Sequence, residues 1–425
     1  MNSPVSEKLI ETGAARRRPF LEVLLVFLRL GVTSFGGPVA HLGYFRAEFV
    51  EHRKWLDEAA YVDIVALCQF LPGPASSQVG ITLGTLRAGL PGALAAWFGF
   101  TMPSAVAMIA FGYGVAELGD ISHVPWLHGL KIVAVAVVAQ AVWGMARSLC
   151  PDRERATLAV GAAVLALAVP SAAGQIGAII AGGLIGWQLF PGTSGNKAAP
   201  LAVHIARPFA VGALVLFFAL LFGLPALAAA SSDHILELIS AFYRSGALVF
   251  GGGHVVLPLL QQAVVPPGWV SNDAFLAGYG AAQAVPGPLF TFAAYLGTVM
   301  GPAPNGWIGG LICLVAIYLP SFLLLMAILP FWDALRTRAG VQSALRGVNA
   351  AVVGLLLAAL YTPVWTSAIF APADFALGVV AFLLLALWAV PPWMSSSWAQ
   401  SEQRSSPTFP GLQCRPETGP RALWR

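Results

Sequence analysis

Two pairs of oppositely charged residues recur in apolar stretches of the chain, one pair in each half. Glu22 precedes Arg29 by seven positions, and Glu237 precedes Arg244 by the same interval. Seven residues are about two helical turns, so each pair lies on one helix face with a rise of about 10.5 Å. An arginine inside a membrane is costly and faces a partner or a watery cavity. Two interpretations therefore stay open for Arg29 and Arg244: contact with an anionic substrate, or an ion pair with the glutamate of the other half.

Paired glycines follow each of these charged segments. Gly36 and Gly37 precede Pro38 in the first half, and Gly251 and Gly252 stand at the matching place in the second. Paired glycine and proline interrupt a helix, and irregular backbone at membrane depth is tolerated where protein or a watery cavity receives it. These positions therefore predict broken helices whose free N–H groups attract anions.

Two Pro-Gly-Pro segments predict a second break in each half. Residues 72–74 and residues 286–288 each end one helix and precede another, and hydroxyls follow at Ser76, Ser77 and Thr291. Together with the two arginines, four positive helix ends would line a pseudo-symmetric cavity suited to a small, multiply charged oxyanion. The alternative is a pair of kinks that serve packing alone.

Amides and imidazoles flank the breaks. Gln69 and Gln283 each precede a Pro-Gly-Pro segment by three positions, and a buried amide there could donate to an oxyanion or cap the broken turn. His41 and His254 follow the glycine breaks without aligning, and each could move a proton or serve as a hydrogen-bonded structural histidine. The candidates for proton or charge coupling are Glu22, Glu237, His41 and His254.

These residues belong to a duplicated unit. Identical pairs at the start of the two copies are Glu22/Glu237, Phe27/Phe242, Arg29/Arg244, Gly31/Gly246, Phe35/Phe250, Gly36/Gly251 and Gly37/Gly252. Apolar composition alone does not explain identity at charged and glycine positions. The predicted regions are a cytoplasmic leader (1–19), a first transporter repeat (20–170), connecting spans with a cytoplasmic linker (171–234), a second transporter repeat (235–391) and a disordered cytoplasmic tail (392–425).

Composition places the chain in a membrane. Of its 425 residues, 58% are hydrophobic and 10% are charged, against roughly 25% charged residues in soluble domains. This composition predicts an all-α integral membrane protein in contact with the lipid bilayer. Because the sequence has no HExxH, CxxC, paired-carboxylate or Ser/His/Asp constellation and no cofactor motif, we expect no enzyme activity, cofactor, metal or nucleic-acid partner. The cysteines are interpreted as apolar fillers: Cys68, Cys150, Cys313 and Cys414.

The distribution of basic residues predicts the topology. With the N-terminus in the cytoplasm, all of the 23 lysines and arginines except Arg29, Arg244 and Lys131 fall on the cytoplasmic side, as the positive-inside rule requires. If each broken pair of helices forms a re-entrant hairpin, the second copy begins on the opposite face. The sequence therefore predicts two inverted-topology repeats, an arrangement that places a transport site near the midplane.

Four motifs at the breaks carry a resemblance to a known family. SFGGPVAH (34–41), LPGPASSQ (71–78), FGGGH (250–254) and QAVPGP (283–288) resemble the chromate ion transporter family in its long, two-domain form, over about residues 20 to 391. The resemblance implies a bacterial inner-membrane protein with cytoplasmic termini that exports chromate and confers resistance, with sulfate as a competitor. The alternatives are uptake or exchange of sulfate or another oxyanion and, more remotely, a membrane-embedded enzyme. The oligomeric state stays open, a homodimer being one alternative.

Overall fold

The computed structural model describes residues 19–35, 37–118, 125–190, 205–231, 233–250, 255–335, 338–386 and 388. Within these ranges every regular element is helical and no strand occurs. The prediction of an all-α membrane protein is therefore confirmed. Most of the predicted leader, most of the linker and all of the predicted tail lie outside the described residues.

The described residues of the first half form six helices. They are α1 (Pro19–Thr33), α2 (Gly37–Arg46), α3 (Glu58–Phe70), α4 (Ala75–Leu118), α5 (Pro125–Leu149) and α6 (Arg153–Ala168). A π-helical turn, Ala47–His52, extends α2. Two helices then connect the halves, α7 (Ala172–Leu189) and α8 (Arg207–Ser231).

The second half repeats this order with shorter pieces. Its helices are α9 (His234–Ala247), α10 (Val256–Val264), α11 (Asn272–Ala284), α12 (Phe292–Val299), α13 (Gly306–Ile328), α14 (Trp332–Leu335), α15 (Ala339–Ala359) and α16 (Pro372–Ala386). A 3₁₀ turn, Leu289–Thr291, leads into α12, and a π-helical turn, Leu360–Trp365, ends α15.

Five described helices are long and apolar enough to cross a bilayer. They are Ala75–Glu117, Lys131–Leu149, Arg207–Ser231, Gly306–Phe331 and Ala339–Thr362. A span needs roughly 20 residues, so α1, α2, α3, α9, α10 and α11 are too short to cross alone. The short lengths of these six helices agree with the prediction of helices that break within the membrane.

The Pro-Gly-Pro breaks have a local cause in both halves. After α3 the chain becomes extended at Leu71, and after α11 it becomes extended at Val285. Gly73 then adopts φ +128° and Gly287 adopts φ +99°, a backbone region in which a side chain is strained. The following proline ends the turn before the next helix starts.

Equivalent helix pairs pack in the same way in the two halves. Helix α1 lies against α4, where a Cβ on Gly31 would stand 2.6 Å from the carbonyl oxygen of Gly99. Helix α9 lies against α13, where a Cβ on Gly246 would overlap the carbonyl oxygen of Ile317. Small residues permit this close approach of helix backbones, which is the main source of packing energy between membrane helices.

Candidate functional site

Each Pro-Gly-Pro turn hydrogen-bonds to the opposite half of the molecule. The Gly73 N–H donates to the carbonyl of Val249 at 2.6 Å, and the Gly287 N–H donates to the carbonyl of Ser34 at 2.9 Å. The acceptors occupy the ends of α9 and α1, just before the glycine breaks. Each Pro-Gly-Pro turn is therefore tied to the segment that precedes the glycine break of the other half.

A serine from the opposite half closes over each turn. A Cβ on Gly287 would lie 2.7 Å from Oγ of Ser104, and a Cβ on Gly73 would overlap Oγ of Ser321. Both serines are buried and follow a proline inside a long helix, Ser104 in α4 and Ser321 in α13. Each turn needs glycine for its backbone angle and also for this contact.

The central crossing is the region where the two Pro-Gly-Pro turns bond to Ser34 and Val249 of the opposite halves. His41 lies in this region. Its ring is fully buried, and it packs edge-on against Phe100 with 5.2 Å between the ring centroids. Nε2 lies 3.2 Å from the carbonyl oxygen of Ser34, and Nδ1 lies 3.3 Å from Oγ of Ser76. A carbonyl can only accept, so Nε2 carries the proton and Nδ1 accepts from the Ser76 hydroxyl. Both ring nitrogens are satisfied, which favours the structural interpretation of this histidine.

The crossing also contains polar atoms without partners. Among the described residues, Oγ of Ser34, Oγ of Ser321 and Oε1 of Gln78 are buried and make no hydrogen bond. The Ser77 hydroxyl lies 3.5 Å from that of Tyr318. Buried polar atoms nearly always have a hydrogen-bond partner, so these three atoms indicate a place where water or a ligand binds.

The remaining candidates near the turns are less central. The Thr291 hydroxyl donates locally to the Pro288 carbonyl at 2.9 Å. Gln283 is half-buried on the last turn of α11, and its side chain interacts with that of Tyr279 one turn earlier. The expectation of a buried Gln69 is wrong, because this side chain is exposed on the last turn of α3. Gly37 begins α2 with φ +76°.

Four predicted site residues lie outside the described residues, namely Gly36, Gly251, Gly252 and His254.

Glu22 and Arg29 belong to a charged network within the first half. Arg29 bonds to Glu48, which also accepts from Nε of Arg53 at 2.7 Å. Glu22 accepts from Arg53 at 3.3 Å and from Arg87 at 3.0 Å. Burial alone would raise the pKa of the Glu48 carboxyl, but its two arginine partners lower it below the usual value.

This network corrects one interpretation of the sequence. An ion pair between Arg29 and the glutamate of the other half does not form, because the segment after α2 supplies Glu48 instead. Glu237 does not pair with Arg29. Its side chain is about half-exposed, and its carboxylate lies 3.6 Å from Nδ1 of His234 on the same helix. The first-half pair therefore lies beside the central crossing and not within it.

Arg244 has very different surroundings from Arg29. Its Nε is buried without a partner, and no described carboxylate pairs with its guanidinium. It lines a cavity of about 180 Å³ whose polar walls include Gln175, Ser245 and Gln262. Gln175 was not predicted from the sequence, because this residue lies on α7, outside the predicted repeats.

No group of three His, Cys, Asp or Glu side chains that could hold a metal occurs in the described ranges. The described cysteines are not paired with one another, and Cys68 and Cys313 are buried.

Similarity to known proteins agrees with the two-part geometry. The model of the chromate transporter family matches residues 21–187 and again residues 236–399. The chain belongs to the chromate transporter family. A chromate transport protein of Pseudomonas aeruginosa is 28% identical over 336 residues, which cover 78% of this chain and 77% of that protein. A chromate transport protein of Cupriavidus metallidurans is 25% identical over 394 residues, covering 90% and 93%.

A shorter relative matches only part of this chromate transporter family member. An uncharacterized transporter of Bacillus subtilis is 34% identical over 124 residues, which cover 29% of this chain and 67% of that protein. No solved structure matches the chain. Family membership and the apolar helices together establish a multi-pass membrane protein.

Proposed function

We propose that the protein exports chromate from the cytoplasm across a bacterial inner membrane and thereby confers chromate resistance. In this proposal the two repeats have inverted topology and both termini are cytoplasmic. Transport, and not catalysis, is the activity, since the named relatives are chromate transport proteins.

The observation that carries the proposal is a pair of buried hydroxyls at the crossing that have no hydrogen-bond partner among the described residues. Ser34 comes from the first half and Ser321 from the second, and both are fully buried. Each hydroxyl can donate to an oxygen of a tetrahedral anion. The irregular backbone of the two Pro-Gly-Pro turns lies beside them, as in transporters that bind anions at the ends of half-helices.

The crossing suits reversible binding of a dianion. None of the described side chains that form it carries a formal charge, so binding depends on hydroxyls and backbone N–H groups. Such a site replaces part of the anion's hydration without holding it in a full ion pair. With the cell interior negative, moving a dianion outward releases about 4.6 kcal/mol per 100 mV, twice the single-charge value. The membrane potential alone can therefore drive export, and a proton exchange is not required.

Exchange or uptake of sulfate is the second candidate. Chromate and sulfate are both tetrahedral dianions, and hydroxyl donors do not distinguish them strongly. Lower cellular chromate on expression favours export, whereas higher cellular sulfate favours uptake.

The test is chromate flux in proteoliposomes with an imposed potential and no pH gradient. We expect flux in the wild type, and at least about a tenfold loss in Ser34→Ala and Ser321→Ala, since each removes a donor to an anion. Ser343→Ala is the matched control, because Ser343 is buried but its hydroxyl already donates to the Ala339 carbonyl at 3.0 Å. Absence of wild-type flux would refute potential-driven export, and unchanged flux in both serine variants would remove the crossing from the transport path.

A further inference from the structure

Arg244 is the one of the two repeat-related arginines whose charge is left without a carboxylate in the described structure. Arg29 shares Glu48 with Arg53. The spacing that matches Arg29 to Arg244 matches Glu48 to Ala263, and a register shifted by one position matches it to Gln262. Neither residue can neutralise a guanidinium. The second copy therefore has the arginine without the carboxylate that pairs with it in the first.

The cavity around Arg244 provides hydrogen-bonding groups in place of the carboxylate. Nε2 of Gln175 donates to the Pro258 carbonyl at 3.4 Å, and Nε2 of Gln262 donates to the Pro170 carbonyl at 3.1 Å. Each amide nitrogen carries a second N–H beyond these bonds. Oε1 of Gln175 is buried and has no donor among the described residues. An arginine together with two anchored amides is a set suited to an anion that retains some of its water.

The size of the cavity fits such a ligand. Its volume of about 180 Å³ equals roughly six water molecules at about 30 Å³ each. Arg244 lies in the last turn of α9. An arginine without a carboxylate inside a membrane has a high free-energy cost unless water or an anion reaches it. The two Gln-to-carbonyl bonds join α10 to the start of α7 and to the segment just before it, so these two walls of the cavity are held together without a ligand.

We infer that the cavity formed by Arg244, Gln175 and Gln262 binds a tetrahedral oxyanion at a site separate from the central crossing. The site occurs once, because Gln175 lies outside the repeats and the matching place in the first half is occupied by Glu48. The inference rests on the proposed function for its biological ligand, chromate. In the proposed topology the cavity lies toward the outer face, where an exported anion is released.

Binding of radiolabelled sulfate to the purified full-length protein in detergent tests the inference. Ala263→Glu installs the carboxylate that Glu48 supplies in the first half, and Arg244→Gln removes the charge. We expect each change to weaken one class of bound sulfate at least about tenfold, as befits the loss of a charge-assisted contact. Gln175→Ala should weaken the same class by a smaller factor. Arg29→Gln is the repeat-related control and should leave that class within about twofold of wild type, since its guanidinium is already neutralised.

Three results separate the outcomes. If Ala263→Glu and Arg244→Gln remain monodisperse and bind sulfate as the wild type does, the inference is wrong. It is also wrong if both variants lose a co-purified anionic phospholipid while sulfate binding is unchanged, because the cavity then holds a lipid headgroup. If the Arg244-dependent class is present but wild-type proteoliposomes carry no chromate, the site stands and the proposed function fails.

Discussion

Replacing Gly73 by alanine tests the contact between the halves at its tightest point. The new methyl group would meet Oγ of Ser321, and it would lie 2.7 Å from Nε2 of Gln78. The backbone angle, φ +128°, is also one that alanine rarely adopts. Strain at such an angle costs about 1–3 kcal/mol. Overpacking in a closely packed core costs about 1–3 kcal/mol more. We therefore expect Gly73→Ala to lower the free energy of unfolding by about 2–6 kcal/mol, from the sum of these two costs.

Two companion variants separate the strain from the overlap. Gly37→Ala introduces a methyl group at φ +76°, with no described atom within 4 Å, so it should show the backbone cost alone. Ser321→Gly, combined with Gly73→Ala, removes the overlapping side chain and should recover about 1–3 kcal/mol.

The assay is thermal and denaturant unfolding of the purified full-length protein, with the variants measured side by side. If Gly73→Ala melts at the same temperature as Gly37→Ala, or if Ser321→Gly recovers nothing, the cross-half contact does not contribute as the structure indicates.

Three further changes test other contacts, each by thermal unfolding of purified protein. Glu48→Ala should destabilise by about 1–2 kcal/mol, because two arginines lose their shared carboxylate at a partly solvated site; no change would mean that water replaces it fully. The buried ammonium of Lys131 lies 2.7 Å from the partly exposed carboxylate of Asp273. Asp273→Ala should lower the free energy of unfolding more than Lys131→Met does, because only Asp273→Ala leaves a buried charge without its partner. The reverse order would contradict this. Gly347→Leu should prevent stable packing of α15 on α7, whereas Gly212→Leu, with no described atom within 4 Å, should be tolerated.

Much of the helical organisation could be predicted because its determinants are local. Paired glycines and Pro-Gly-Pro segments interrupt helices, so the ends of α1, α3 and α11 followed from the residues themselves, whereas the isolated Pro103 and Pro320 lie inside α4 and α13. The charged pairs were harder to interpret. Glu48 lies beyond the identical stretch that opens the repeat, and nothing in the sequence joined it to Arg29.

The central contacts depend on tertiary arrangement and so were not visible in the sequence. Ser104 and Ser321 each follow a proline in the sequence, but only the fold brings each of them against the turn of the other half. Gln175 was missed for a similar reason, since it is contributed by a connecting helix. The error at Gln69 arose because proximity to a break in sequence does not fix the direction of a side chain.

The reciprocal turns also bear on how the two copies could have diverged after duplication. A change at Gly73 is limited by Ser321, and a change at Gly287 is limited by Ser104, so each copy restricts the mutations available to the other. These residues have remained identical within the chain, while Glu48 and Ala263, which contact no counterpart across the crossing in the described bonds, have not. After duplication, the contacts of Gly73 with Ser321 and of Gly287 with Ser104 restrict change at the central crossing. The positions of Glu48 and Ala263 are not restricted in this way, so one copy alone can acquire a new specificity there.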